Sequence, residues 1–181
     1  MEYYKRIKLK DDRECILRNA VFSDSEKVLD VFVKTHSQTD FLLSYPDEIK
    51  YTVEEEGEFL QKKTDSENEI EILAEIDGKI VGTAGIERVG VHEKLRHRCD
   101  FGVGIDEEYW GLGIGRALLE GCIQCAKKAG FEQMELEVVA ENERAVEMYK
   151  KAGFVEYGRN PRDFKSRTGY QEVIYMRLEL D

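Results

Sequence analysis

The chain has 181 residues, a length that suits one domain, and we interpret 1–181 as a single domain. Its formal net charge is −11, which argues against nucleic acid as a main partner because phosphate binding needs clustered Lys and Arg. No apolar run is long enough to span a membrane and the first residues do not form a signal peptide, so we expect no membrane partner and a cytoplasmic location.

The first half of the chain alternates strand and helix patterns. A strand is predicted at 15–20, followed by a helix that begins at a capping box at 23–26 and ends at residue 34. After an irregular segment at 35–46, a second capping box at 52–55 begins a helix that ends at residue 63. Strands 68–76 and 79–89 form a hairpin around Asp77-Gly78.

The second half continues this mixed α/β order. The predicted elements are a strand at 99–105, a helix at 113–129 closed by Gly130, a strand at 131–139, a helix at 142–151, and strands at 154–159 and 170–180 joined by a basic loop with Pro161. Cys122 and Cys125 have C-x-x-C spacing, but no second such pair and no His cluster accompanies them. We interpret them as buried helix residues and expect no metal.

Three glycines at alternate positions, Gly111, Gly113 and Gly115, lie between an acidic turn and an apolar-periodic helix. Glycine lets the backbone approach a ligand closely, and the first N–H groups of a helix have no internal partner. This order of parts predicts a site for a phosphate or pyrophosphate. The spacing fits neither a dinucleotide-binding loop nor a P-loop. A glycine-rich turn that only tightens packing is the alternative.

A second motif follows this loop after one helix and one strand. It reads Asn142-x-x-Ala145-x-x-x-Tyr149 followed by Gly153-Phe154. Together with the run Trp110-Gly111-Leu112-Gly113-Ile114-Gly115, it resembles the GCN5-related N-acetyltransferase (GNAT) superfamily over roughly 15–180. The first run is similar to the family's [QR]-x-x-G-x-[GA] pyrophosphate loop, with Trp110 in place of Gln or Arg.

The resemblance implies a fold and a cosubstrate. The fold is a mostly antiparallel twisted sheet whose middle strands splay into a V, with helices on both faces. The cosubstrate is acetyl-CoA, whose pyrophosphate is expected on backbone N–H groups and whose pantetheine arm is expected along the central strand and Asn142. The implied cofactor-binding residues are Val103, Gly104, Ile105, Gly111, Leu112, Gly113, Ile114, Gly115, Arg116, Asn142 and Tyr149.

The resemblance also implies catalytic roles. The N–H of Val103 is the candidate donor to the thioester oxygen, and Tyr149 is the candidate donor to the leaving thiolate. Asp100 is the candidate base, although strand alternation places it opposite Val103, so a bulge would have to redirect it. Glu71, His97 and an ordered water are rival bases. Gly102 and Gly104 in the strand indicate either a close ligand or an ordinary bulge.

The variable segments 37–45, 54–56 and 160–168 are expected to recognise the acceptor, with Tyr45, Glu56 and Phe164 as candidate contacts. The leading hypothesis is direct transfer of an acetyl group to a primary amine of a small molecule, polyamine, amino acid or protein N-terminus. A non-catalytic acyl-CoA binding module is the main alternative, and a glycine-loop nucleotide enzyme is a weaker one. The resemblance is compatible with a homodimer.

Overall fold

An eight-stranded sheet forms the centre of the computed structural model, which describes residues 1–180; Asp181 lies outside the described residues. The strands are β1 (Tyr4–Lys8), β2 (Glu14–Asn19), β3 (Ile70–Ile76), β4 (Lys79–Arg88), β5 (Arg98–Ile105), β6 (Gln133–Val139), β7 (Val155–Lys165) and β8 (Tyr170–Glu179). They lie in the order β1-β2-β3-β4-β5-β6-β8-β7, and every neighbouring pair is antiparallel except β5 and β6.

Within residues 1–180, four α-helices cover the two faces of this sheet. They are α1 (Ser25–Gln38), α2 (Val53–Asp65), α3 (Ile114–Lys128) and α4 (Glu143–Lys151). None of them is both long and apolar enough to cross a membrane. The helices pack as two pairs, because α1 and α2 contact one face whereas α3 and α4 contact the other.

The central strand β3 is buried on both faces because each face carries a helix pair. Ile72 packs in one apolar cluster with Leu118 of α3, while Leu73 packs in another with Val28 of α1 and Leu60 of α2. Burial of each such side chain contributes about 1.5–3 kcal/mol to folding. The predicted mixed α/β class, with helices on both faces of a mostly antiparallel sheet, is confirmed.

The only parallel pair of the described sheet, β5 and β6, is joined at one end. Residues Arg98 to Asp100 of β5 pair with residues Gln133 to Glu135 of β6, and the two strands then separate. Arg98 and Glu135 form an ion pair at the joined end, with Nη2 2.5 Å from Oε2. We call the opening beyond Asp100 the wedge; it is the predicted V-shaped splay, and it is confirmed.

Three local predictions need correction. Strand β1 adds to the predicted elements, which lack it because its sequence has three charged residues and only one aliphatic side chain, as edge strands do. The capping box at 23–26 is wrong, since the carboxylate of Asp24 instead binds Arg18 at 2.7 Å and the N–H of Val21 at 3.0 Å. The predicted basic loop is part of β7, which tolerates Pro161 because it is an edge strand with an irregular register there.

Other local predictions are confirmed. Thr52 accepts a hydrogen bond from the N–H of Glu55 and starts α2, and the hairpin turns at Asp77-Gly78. Cys122 and Cys125 are buried on the inner side of α3.

Candidate active site

The backbone of β5 beyond Asp100 has one free edge, which faces the wedge. The N–H of Asp106 donates to the carbonyl of Val81 at 3.0 Å, and the register between β4 and β5 is regular. Even-numbered residues of β5 therefore bond to β4, because hydrogen-bonded pairs alternate in an antiparallel ladder. Val103 and Ile105 direct their N–H and C=O groups into the wedge, whereas Gly104 directs its own groups toward β4.

The glycine loop ends at the same opening. Gly111 and Gly113 have φ angles of 85° and 100°, a conformation that favours glycine. None of the backbone N–H groups in 111–116 donates a hydrogen bond to another described residue. A Cβ at Gly115 would lie 3.1 Å from Cδ1 of Ile105, so this third glycine also serves helix–strand packing. The loop thus presents six free donors at the positive end of the α3 dipole.

The remaining loop residues anchor the loop to the protein. The carbonyl of Leu112 accepts a hydrogen bond from the N–H of Lys10 at 3.3 Å, and Ile114 is buried with 1% exposure. Arg116 is exposed and pairs with Glu120 at 2.8 Å, as its position one turn away on α3 allows. The first two of these contacts hold the loop without using its N–H groups.

Trp110, the residue that departs from the family motif, ties the loop to β5. Its indole N–H donates to the carbonyl of Ile105 at 2.7 Å. The guanidinium of Arg144 lies 5.6 Å from the Trp110 ring centroid, and its Nη2 lies 3.8 Å from where a Cβ of Gly111 would be. Arg144, which the sequence analysis did not single out, therefore brings a positive charge beside the loop.

Helix α4 begins at Asn142 on the other side of the wedge. The Oδ1 atom of Asn142 accepts a hydrogen bond from the N–H of Ala145 at 3.3 Å, so the residue is the N-cap of α4. Its Nδ2 has no hydrogen-bond partner among residues 1–180 and remains available as a donor. Capping and ligand binding are thus compatible roles for Asn142.

Tyr149 lies on the inner face of α4 and is 6% exposed. Its ring contacts Phe101 of β5 edge-on, with centroids 6.2 Å apart, and Phe154 at 5.8 Å. Its hydroxyl makes no hydrogen bond within the described chain. Burial raises the pKa of Tyr149 well above its usual value, so the phenol stays protonated at neutral pH.

A second opening lies on the opposite face of the sheet, between α1, α2 and strands β3 to β5. We call this cavity of about 760 Å³ the acidic cleft, because five carboxylates line it: Glu55, Glu56, Glu71, Glu87 and Asp100. It extends to Gly102 and Val103. A Cβ at Gly102 would meet nothing within 4 Å, so the cleft is open at the strand that also borders the wedge.

Asp100 reaches the acidic cleft without a bulge. Strand alternation does place it opposite Val103, but the cleft lies on its own face of β5, and the β4–β5 register is regular. The redirecting bulge in the sequence interpretation is therefore not needed. Although the residue is exposed at the cleft, partial burial of the carboxyl, together with Glu135 and Glu137, raises the pKa of Asp100 to about 6.

Lys63 is buried at the floor of the cleft, with 4% side-chain exposure, and contacts two carboxylates. Its Nζ lies 3.0 Å from Oε2 of Glu71 and 2.8 Å from Oε1 of Glu87. Burial lowers the pKa of Lys63, but the two carboxylates outweigh this effect and raise the pKa above its usual value. A Cβ at Gly85 would collide with the Glu71 carboxylate, so a larger residue there would displace this ion pair.

His36 of α1 also lines the cleft, and no spacing in the sequence indicates this position. The side chain is 8% exposed, and its Nδ1 lies 2.7 Å from the carbonyl oxygen of Phe32. Because a carbonyl only accepts, Nδ1 carries the proton of the neutral ring and Nε2 is an acceptor. Burial lowers the pKa of His36, and Nε2 has no hydrogen-bond partner among residues 1–180.

Some candidate residues lie away from both openings. His97 is not among the residues that line the cleft, and its carbonyl accepts the N–H of Glu132 at 2.9 Å. Tyr45 and Phe164 also lie outside the lining, and the Tyr45 hydroxyl accepts the N–H of Arg167 at 2.8 Å. The structure thus brings Asp100, Glu71 and Glu56 together.

The wedge and the glycine loop fit acetyl-CoA. The backbone groups of Val103 and the N–H of Ile105 have no hydrogen-bond partner in residues 1–180 and can receive an extended arm by strand addition, whereas the Ile105 carbonyl is bound to Trp110. The free N–H groups of 111–116 match a pyrophosphate, and Arg144 adds a positive charge beside them. Asn142 offers a free amide N–H₂ between these parts.

Two solved structures share this fold. A crystal structure of a GNAT acetyltransferase from Streptococcus pneumoniae is 31% identical, with a TM-score of 0.88 over 92% of this chain and 99% of that one. The structure of yncA from Salmonella typhimurium with its cofactor acetyl-CoA is 17% identical, with a TM-score of 0.82 over 91% and 93%. The second likeness concerns the fold alone.

Comparisons with curated relatives and with a family model identify the protein family. L-amino acid N-acetyltransferase AaaT of Escherichia coli is 30% identical over 59% of this chain and 65% of the relative. The E. coli [ribosomal protein bS18]-alanine N-acetyltransferase is 34% identical over 44% and 54%. The chain thus spans less than two thirds of the length of either relative. The model of the acetyltransferase (GNAT) family matches residues 32–154, and the chain belongs to this family.

Proposed function

We propose that the protein transfers the acetyl group of acetyl-CoA to a primary amine that binds in the acidic cleft. The observation that carries the proposal is the meeting of the two openings at Gly102 and Val103. One side of this strand offers a free backbone edge next to an anion-binding loop, and the other offers a cleft with carboxylates. A thioester and an amine could therefore meet at β5.

The comparisons support the two substrate classes. The yncA structure contains acetyl-CoA, and the names of the two curated relatives identify acetylated amines: L-amino acids in one case and the alanine of a ribosomal protein in the other. These are properties of those proteins, and for this chain they support acetyl-CoA as donor and an amine as acceptor.

Bound acetyl-CoA supplies an acetyl group activated as a thioester. The N–H of Val103 points into the wedge and donates a hydrogen bond to the acetyl oxygen as negative charge develops there. Such a fixed donor stabilises the transition state because it needs no reorganisation. The N–H groups of 111–116 and Asn142 hold the rest of the molecule in register with Val103.

Two side chains take part in proton transfer: one accepts a proton from the amine and the other donates to the departing sulfur. An aliphatic amine is mostly charged at neutral pH, so it must lose a proton before it attacks. Asp100, with its pKa raised to about 6, is ionised at pH 7 to 8 and can accept that proton directly or through water. Tyr149, whose pKa exceeds that of a thiol, donates its hydrogen bond or proton to the departing sulfur.

The transfer is direct, without an acyl-cysteine intermediate. All four cysteines are buried, and burial raises the pKa of Cys15 to about 11 and that of Cys99 to about 12. Nucleophilic cysteines need an accessible thiolate, which none of these thiols provides.

The test is a steady-state assay of CoA release with a panel of amines, combined with mass spectrometry of the amine. We expect CoA release that requires both substrates and an acceptor heavier by one acetyl group. Tight acetyl-CoA binding without turnover of any amine would contradict the proposal and favour a non-catalytic acyl-CoA binding module.

A further inference from the structure

The polar groups of the acidic cleft define what kind of amine it can hold, provided that the acetyl transfer proposed above is correct. We infer that the acceptor is an aliphatic amine with a second positive charge and without a carboxylate, as in diamines and polyamines. The class follows from the charge balance of the cleft, from its free hydrogen-bonding atoms and from its apolar walls.

The charge balance is strongly negative. Five carboxylates line the cleft, and the only Lys or Arg among its described lining residues is Lys63. That ammonium is already held between Glu71 and Glu87, at 3.0 and 2.8 Å. The carboxylate of an amino acid would therefore meet no free cation here and would lie among like charges, which disfavours its binding.

The free polar atoms are acceptors. Nε2 of His36 is an unpartnered acceptor on a side chain that is more than nine-tenths buried and lines the cavity. Glu56 lines the same cavity and is half-buried, and its carboxylate makes no hydrogen bond or ion pair within the described chain. Nε2 of His36 and the carboxylate of Glu56 both accept hydrogen bonds from N–H groups. A ligand with two ammonium or amine groups supplies several such donors.

Glu56 is a cleft carboxylate whose charge no ion pair within the described chain neutralises. Burial and the nearby charge of Glu71 raise the pKa of Glu56, while Lys63 offsets this only in part. A bound ammonium beside Glu56 would relieve the repulsion between these carboxylates. The reacting amine must be neutral when it attacks, so this attraction acts usefully only on a second charge that stays protonated.

The walls of the cleft suit the hydrocarbon part of such a molecule. Phe32 and Leu42 line it from the α1 side, and Phe59 lines it from α2. Methylene groups between two amines would contact these side chains and leave water. Aromatic faces also attract ammonium groups, as Lys63 illustrates with its Nζ 4.8 Å from the Phe59 ring centroid.

The experiment compares putrescine with n-butylamine, which has the same four-carbon chain and one charge fewer. We expect kcat/KM for acetylation of putrescine to exceed that of n-butylamine at least tenfold. L-methionine and L-phenylalanine should be acetylated more slowly than putrescine. A ratio near one, or preference for the amino acids, would overturn the inference while leaving acetyl transfer established.

Glu56→Gln and Glu58→Gln form a matched pair of variants. Both lie on α2 and remove one negative charge, but Glu58 is exposed and does not line the cleft. We expect Glu56→Gln to lower the putrescine to n-butylamine ratio severalfold and Glu58→Gln to leave it unchanged. This ratio is insensitive to the folded fraction of each variant. Equal effects of the two substitutions would count against the inference.

A binding measurement separates this inference from the proposed function. Both amines are titrated by calorimetry into the protein saturated with CoA. If no amine is acetylated but putrescine binds more tightly than n-butylamine, the cleft selects diamines as inferred and only the proposed transfer fails. Equal or undetectable binding of both amines overturns the acceptor class.

Discussion

Tyr149 is the residue whose proposed role is easiest to separate from its structural one. Its ring packs against Phe101 and Phe154, whereas its hydroxyl has no hydrogen-bond partner in residues 1–180. Tyr149→Phe keeps the ring contacts and removes only the donor. We expect kcat to fall roughly 10²- to 10⁴-fold, the usual contribution of a positioned proton donor, with little change in melting temperature.

The control is Tyr170→Phe, the same change on an exposed strand residue. It should leave both kcat and melting temperature unchanged. An unaltered kcat in Tyr149→Phe would show that the departing sulfur does not depend on this phenol.

Asp100 predicts a pH dependence of catalysis. Partial burial, Glu135 and Glu137 raise its pKa to about 6, so below this pH the carboxyl is protonated and cannot accept a proton. We expect kcat/KM to fall as the pH drops through about 6. In Asp100→Asn, kcat/KM should be low at pH 8 and the step near pH 6 should disappear. If the step persists in this variant, Glu71 or another group is the base.

The raised pKa of Asp100 also affects stability. As the pH rises, kcat/KM should increase but the free energy of unfolding should decrease. A carboxyl with a raised pKa in the folded state binds its proton more tightly there than in the unfolded chain. Ionisation therefore destabilises the fold as the pH rises from about 4 to about 6, and the loss is complete above that. Asp100→Asn should melt above the wild type at pH 8, and this difference should vanish near pH 4. A constant difference would contradict the shift.

Motif residues and some cleft carboxylates, such as Asp100, could be singled out at this scale, but other cleft residues could not. Asn142 and Gly113 have positions fixed by local helix-start chemistry, which a sequence displays. Lys63 and His36 gain their roles from neighbours that are distant in the chain, such as Glu87 for Lys63. No local spacing carries such information, so Arg144, which contacts Trp110, was also missed.

At the scale of elements, helix α3 offers a matched pair of glycines. Gly113 precedes it with a φ of 100° and Gly130 follows it with a φ of 80°, and a Cβ at either position would meet nothing within 4 Å. Alanine at each should destabilise the fold by a similar amount, roughly 1–2 kcal/mol, because the left-handed conformation disfavours a Cβ.

Only one of these two variants should affect cosubstrate binding. Gly113→Ala distorts the free N–H groups of 111–116, so we expect weaker acetyl-CoA binding by calorimetry. Gly130→Ala, at the opposite end of the helix, should bind like the wild type. Equal affinities in the two variants would mean that the loop only packs and does not bind the pyrophosphate.

Elements with strong local sequence signals were predicted correctly. Strands that form only because they pair with a neighbouring strand were not. The hairpin at Asp77-Gly78 and the cap at Thr52 follow from turn and capping chemistry. Strand β1 forms because it pairs with β2, and β7 continues through Pro161 because an edge strand needs fewer hydrogen bonds. Both depend on partners that a single segment does not reveal.

At the scale of the whole molecule, the short parallel contact between β5 and β6 opens the wedge on which the proposed function depends. The two strands pair at Arg98–Asp100 and then separate, so the wedge exposes the backbone edge of Val103. Helices α1 and α2 on the opposite face leave the acidic cleft open at the same strand. The family resemblance predicted the splay, but only the folded chain brings Glu56, Glu71 and Asp100 into one cavity.

Our proposal places acetyl-CoA in this wedge with its pyrophosphate on the glycine loop. The most direct test is the melting temperature of the wild-type protein with acetyl-CoA, CoA, ATP or NAD. A ligand at about 100 times its dissociation constant adds roughly 2.7 kcal/mol of stability. For a chain of this length that corresponds to a rise of roughly 5 to 10 °C. We predict this rise with acetyl-CoA and CoA and not with ATP or NAD; no rise with acetyl-CoA or CoA would contradict the account.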